Sequence, residues 1–228
     1  MSLVETSKGK DTKDAPQLVT LTFEDALQDS TLKVPSVLMS AYRNPNGCPI
    51  VATWVVQTDG TDFNLVKQWY AAGNEVANRT MTHVGNPGEV GNRNSISANA
   101  DIPLDKLSGF RAPFLKYSEE MSAILGKESS SQHCSYHGRA PRRFGAGGRY
   151  LAARNFLRHY NGNRAPFGIY LTPANVGGAT QLYRDLLKHA SSLHDVWFVT
   201  NQQLLQWMQD PVPATELAAQ PYLKCVVA

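Results

Sequence analysis

Leu18-Val19-Thr20-Leu21-Thr22-Phe23-Glu24-Asp25-Ala26 is the stretch whose reading decides the fold. From Leu18 to Phe23 it alternates aliphatic, aromatic and threonine residues with no Gly or Pro inside, which predicts a buried strand. The strand ends on two adjacent carboxylates, just ahead of a helical pattern. Carboxylates at the C-terminal end of a strand are placed for chemistry in an α/β barrel or a doubly wound sheet. The same residues also suit an ordinary helix start, with Asp25 as N-cap and Glu24 in solvent. Taken alone, the stretch reads first as that helix start; three stretches downstream reverse the order.

The chain has 228 residues, 42% of them hydrophobic, enough for one domain with a sizeable core. Its net charge of +3 is too small to point to nucleic acid. No run is long and apolar enough to span a membrane, and no signal-peptide core is visible. Residues 1–15 are polar and aperiodic and read as a flexible lead-in to a single domain over 16–228. Cys48, Cys134 and Cys225 are odd in number, which fits neither a complete disulfide framework nor a four-cysteine zinc site. Cys48 and Cys225 suit a surface bridge, which would imply an oxidising compartment; three unrelated thiols fit the sequence as well.

Along the chain, strands and helices alternate. Leu27 to Tyr42 has helical spacing interrupted by Pro35. Ile50 to Gln57 predicts a strand, and Asp62 to Ala72 a helix ended by Gly73. Glu75 to Ala77 predicts a short strand, Glu89 to Leu107 a weak helix, Gly109 to Phe114 a strand and Ser118 to Leu125 a helix. Glu128 to Gly148 breaks the pattern: rich in Ser, Gly, Arg and His, it reads as loop. Then follow a helix (Tyr150 to Tyr160), a strand (Phe167 to Leu171), a helix (Ala179 to Ser191), a strand (Val196 to Thr200) and a helix capped by Asn201 and running to about Gln209. This alternation predicts a mostly parallel sheet with helices outside.

Five pieces in order carry a resemblance to the polysaccharide deacetylases, most closely of the fungal chitin deacetylase type: Thr22 to Asp25 (TFED), Asn78 to Val84 (NRTMTHV), Gly109 to Phe114 (GFRAPF), His159 to Pro173 (HYNGNRAPFGIYLTP) and Val196 to Pro213. The resemblance implies a distorted (β/α) barrel, here incomplete around residues 128–150. It implies metal-assisted hydrolysis of N-acetyl groups on N-acetylglucosamine polymers, with a divalent, zinc-type metal held by one Asp and two His. It also implies a chitin-like oligosaccharide or polysaccharide as partner and an extracellular or cell-wall setting; a monomer, with neither nucleic acid nor membrane as a partner, is the further expectation.

Carried over by position, the general base falls on Glu24, one methylene longer than the family's Asp. The metal ligands fall on Asp25 and His83, and the residue that orients the base falls on Arg111. Phe114 and Tyr170 fall in the substrate groove. Phe114 stands where the family has Tyr, and both histidine departures matter more: Arg79 stands where the family has its first His ligand, and Thr172 where it has the late acid His. A guanidinium about 4 Å from a dication repels it by roughly 8 kcal/mol at an effective dielectric near 20. The expectation is therefore that Arg79 turns inward onto Glu24 or Asp25 and takes the metal's electrostatic role. Loss of a general acid costs about 10²–10⁴ in rate. The chain reads as a deacetylase relative with a degenerate centre, or as a carbohydrate-binding pseudoenzyme.

Other groups read as structural. His133 and His137, four apart with Cys134 between, would be replacement ligands only if their loop entered the cleft; solvated side chains are the simpler account. Trp54 and Trp69 read as core, one in a strand and one on a helix's apolar face. The arginines between Arg139 and Arg158 read as a solvated face. The aperiodic Glu128 to Gly148 stretch, flanked by good family matches, also fits a rearranged copy with no native function.

Overall fold

The computed structural model describes residues 14–79, 93–111, 133–134, 148–176 and 180–226. The strand predicted first is its centre: β1 (Gln17–Asp25), with Leu18, Val19, Leu21 and Phe23 all buried. One edge of β1 pairs with β6 (Phe167–Leu171) over Val19 to Phe23. The other edge is shared. Gln17 to Thr20 pair with β7 (Val196–Val199), and Thr22 to Asp25 pair with β2 (Thr53–Val56). β3 (Glu75–Asn78), β4 (Gly109–Phe110) and β5 (His133–Cys134) extend the sheet beyond β2. All pairings between these strands are parallel. The described strands run β5-β4-β3-β2-β1-β6, with β7 also on β1, and do not close on one another, which is consistent with the incomplete barrel expected.

Helices α1 (Asp29–Met39), α2 (Phe63–Ala71), α3 (Arg93–Ala100), α4 (Gly148–Tyr160), α5 (Pro173–Val176), α6 (Thr180–Ser191) and α7 (Asn201–Gln209) alternate with the strands. Pro35 does not interrupt α1, against expectation. It sits buried inside the helix, which continues past the one hydrogen bond a proline cannot donate. α2 starts as predicted, with Asp62 accepting from the Asn64 N–H at 2.9 Å, and ends before Gly73 at φ +87°. The cap of α7 lies one residue before the predicted Asn201. The Thr200 hydroxyl accepts from Gln203 N–H while the Gln203 side chain accepts from Thr200 N–H.

The weak helix expected over Glu89 to Leu107 is confined, among described residues, to α3 and a short 3₁₀ turn at Leu104–Lys106. The patternless loop expected over Glu128 to Gly148 also needs correcting. His133 and Cys134 form β5, paired with Gly109 and Phe110. Two residues are too short a strand to leave a period in the sequence. The expected helix over Ser118 to Leu125 and the remainder of that loop up to residue 147 lie outside the described residues.

The core explains the tryptophans. Trp54 stacks on Phe23 at 5.6 Å between ring centres and meets Trp69 edge-on at 5.3 Å. Both indoles donate to backbone carbonyls at 3.0 Å, Trp54 to Asp25 and Trp69 to Glu75. Deeper in the sheet, the buried Glu75 carboxylate accepts from the Thr53 hydroxyl and from the Gln202 N–H of α7, each at 2.9 Å. A carboxylate at a helix N-terminus meets the positive end of its dipole, so Glu75 fixes α7 against the sheet.

The question left open by the cysteines is answered: Cys48 and Cys225 are joined in a disulfide. Two amides on the same turn share its work. The Asn44 side chain both accepts from Phe198 N–H (2.7 Å) and donates to Phe198 carbonyl (2.9 Å), and Asn46 donates to Leu223 carbonyl (2.8 Å). The turn from Asn44 to Cys48 thus fastens β7 and the closing segment at three points.

Candidate active site

Glu24 and Asp25 end β1, Arg79 directly follows β3 and Arg111 directly follows β4. In a parallel sheet these are the C-terminal ends of neighbouring strands, the edge on which loops of α/β folds place their chemistry. β1 and β3 flank β2, so side chains of Glu24 and Arg79 meet across it. The backbone helps to fix Arg111, whose N–H donates to Asn78 carbonyl at 3.0 Å.

The centre is an ion-pair triad. Arg79 Nη1 lies 3.2 Å from Glu24 Oε2, while Arg111 Nη1 donates to Glu24 Oε1. Each carboxylate oxygen thus meets its own guanidinium. The three side chains are 12%, 7% and 9% exposed for Glu24, Arg79 and Arg111, so solvent screens the pairs little. The Arg79 pKa lies below the ordinary arginine value. Burial is the largest cause; Glu24 opposes it, Arg111 adds to it and Asp25 opposes it. The expected inward turn of Arg79 is present, and its partner is Glu24.

Asp25 adopts φ +117°, a region that side chains other than glycine seldom occupy, while its carbonyl accepts the Trp54 indole N–H. Such strain persists only where the surroundings over-determine it, and it gathers at functional sites. On the β6 side, the Arg111 guanidinium carbon lies 5.0 Å from the centre of the Tyr170 ring. Thr172 follows two residues on, half-buried, between β6 and α5.

The structure therefore gathers Glu24, Asp25, Arg79, Arg111 and Tyr170 at one end of the sheet and puts Thr172 at the end of β6. His83, Phe114 and His137 lie outside the described residues, and His133 is described only as part of β5. Among the described residues, no three His, Cys, Asp or Glu side chains come together as a metal site. Of the metal ligands that the resemblance names, Asp25 is described and His83 is not, and at the remaining ligand position stands Arg79, whose guanidinium lies against Glu24. Sequence reading missed the Trp54 indole that pins Asp25; no residue pattern signals that contact.

No family model matches the chain. Among curated proteins it is similar to chitin deacetylase 1 of Bombyx mori, 27% identical over 90% of this chain and 53% of that protein. It is also similar to chitin deacetylase 8 of Bombyx mori, 22% identical over 88% of this chain and 72% of that protein. The chain thus spans about half the length of the first relative. The first alignment covers 285 residues, more than this chain contains, so the relative carries stretches with no counterpart here.

Two solved structures show the same fold. One is the CE4 domain of a multidomain xylanase from the hindgut metagenome of Trinervitermes trinervoides, with TM-score 0.56, 15% identity, and 84% of this chain and 90% of that one covered. The other is the chitin deacetylase of the fungal pathogen Colletotrichum lindemuthianum, with TM-score 0.56, 17% identity, and 83% and 87% covered. The parallel α/β sheet is the fold of these two polysaccharide deacetylase structures. The curated relatives are chitin deacetylases, and the resemblance read from the five motifs is borne out.

Proposed function

We propose that this is a chitin-deacetylase-like protein that binds an N-acetylglucosamine polymer at the C-terminal ends of its strands and has weak or no deacetylase activity. One observation carries the proposal: Arg79, at the position of a metal-ligand His, is buried and paired with Glu24. The relatives' names supply the chemistry, hydrolysis of an N-acetyl amide to a free amine and acetate. In that scheme Glu24 holds the base position, Arg111 orients it, Asp25 and His83 are the remaining metal ligands, and Phe114 and Tyr170 line the groove. A divalent, zinc-type metal would polarise the amide and activate water. The described residues do not favour such an ion. With both carboxylate oxygens engaged by guanidiniums, Glu24 is poorly placed to take a proton from water. Thr172 offers no imidazole to the leaving amine.

A second reading, a purely carbohydrate-binding pseudoenzyme, is supported by the same saturation of Glu24. The Cys48–Cys225 disulfide supports an oxidising, extracellular or cell-wall setting. A monomer is the assembly we propose.

The test is metal analysis and acetate release for the wild type beside the double variant Arg79→His with Thr172→His. We expect no stoichiometric metal and little or no acetate from the wild type, and metal uptake with acetate release from the double variant. A tightly held ion in the wild type, with rapid acetate release, overturns the proposal. A titration with chitin oligomers in the presence of a chelator separates the two readings from loss of sugar binding altogether.

A further inference from the structure

A glycine inside a strand costs about 0.5–1 kcal/mol relative to alanine and often marks a close approach. Gly168 lies inside β6, paired in register with Thr20. Its backbone gives no reason for a glycine, since the described glycines with left-handed φ are Gly47, Gly60 and Gly73. The reason is a ring. A Cβ at position 168 would stand 2.9 Å from Tyr170 Cε2, 3.1 Å from its hydroxyl oxygen and 3.2 Å from Cζ. The Tyr170 side chain therefore folds back along β6 into the space a residue at 168 would fill. An aromatic ring cannot yield to such a contact by bending, so it must shift about χ1 or χ2 away from its place. That place is beneath the Arg111 guanidinium, which in turn holds Glu24.

We propose that Gly168 is a positioning residue. The missing side chain lets the Tyr170 ring lie back along β6 as a shelf for Arg111, which sets the guanidinium on Glu24 and shapes the groove floor. The contact chain runs from the exposed strand edge, Gly168, through Tyr170 and Arg111 to Glu24. Only the affinity measurement below rests on the carbohydrate-binding reading; the placement of Arg111 does not.

The test compares Gly168→Ala, Tyr170→Leu and the double variant with the wild type. The first readout is the side-chain Nε resonance of Arg111, assigned by its loss in Arg111→Lys. In the wild type it should carry an upfield ring-current shift, and this should vanish in Gly168→Ala and in Tyr170→Leu. The second readout is calorimetric titration with a fully acetylated chitin pentamer. Loss of the cation–π contact should weaken binding roughly two- to thirtyfold in either single variant. The double variant should show no further loss, because both changes act through one ring. Should Gly168→Ala fail to fold, the double variant should fold, since the obstructing ring is gone.

A wild type without the upfield shift overturns the proposal. So does its persistence in Gly168→Ala, affinity unchanged in that variant, additive losses, or a double variant that stays unfolded. If the shift behaves as expected but the wild type binds no pentamer, the positioning role stands and the carbohydrate-binding reading falls.

Discussion

The two ends of β1 carry the same device with different consequences. At the C-terminal end, one carboxylate, Glu24, lies between two guanidiniums, Arg79 and Arg111. Near the N-terminal end, Asp195 pairs with Arg164 at 2.9 Å and accepts from the Tyr160 hydroxyl at 2.8 Å, while its carbonyl accepts from Gln17 N–H. There too a non-glycine residue has positive φ, Arg164 at +54°, and there too a guanidinium lies over a tyrosine, Arg164 over Tyr160 at 4.0 Å. Composition alone would not separate the clusters. Position does: in parallel α/β folds, the C-terminal ends of strands carry chemistry and the N-terminal ends carry stability. The upper cluster is also the more demanding one. One carboxylate, Glu24, pairs with two buried cations there, with Asp25 adding to the field at Arg79, whereas the lower cluster balances one cation with one anion and a neutral phenol.

This contrast can be broken first with Glu24→Gln. Removing the anion leaves two buried guanidiniums without their shared partner and should cost about 3–5 kcal/mol in urea unfolding. Asp195→Asn leaves one cation and an acceptor for Tyr160, so about 1–3 kcal/mol is expected. Equal losses would mean that the upper triad is no more tightly bound than the lower pair.

The second comparison uses zinc. A ligand that binds only the folded state at a hundredfold excess over its Kd adds about 2.7 kcal/mol. Thermal scans should show no zinc-dependent gain for the wild type and a gain of that order for Arg79→His with Thr172→His. The lower cluster should be indifferent to zinc in both.

The smallest effect is a pH dependence. The Tyr160 phenol is pushed up, chiefly by burial, then by its hydrogen bond to Asp195 and that residue's charge. A folded-state pKa above the unfolded value gives stability that is complete below the unfolded pKa, about 10 for tyrosine, and is lost as pH rises through the folded one. Alkaline titration should therefore weaken the lower end first. In Tyr160→Phe the alkaline loss should shrink, as read from melting temperature against pH; a loss of unchanged size would assign it to Tyr183 and Tyr222, whose phenols are also raised by burial.

Much of the fold was legible because its signals are local. Apolar runs bounded by turn residues gave β1, β2, β6 and β7 to within a few residues, and Asp62 and Gly73 marked both ends of α2. The tertiary setting overrode local preference at Pro35, which packs inside α1. It also made a strand of His133 and Cys134, which pair with Gly109 and Phe110. The candidate site was half legible. Glu24, Asp25, Arg79 and Arg111 stood in recognisable order, and electrostatics predicted that Arg79 would turn toward a carboxylate.

The order of residues along the chain determined which charges were available and that a guanidinium stands where the resemblance puts a metal-ligand histidine, because charge belongs to residue type and is carried wherever the residue goes. Only the tertiary structure decided which carboxylate took both arginines, that Cys48 meets Cys225, and that Gly168 clears space for Tyr170. Those outcomes depend on distances between residues far apart in sequence, and such distances are set by how the strands pack rather than by any pattern within one of them.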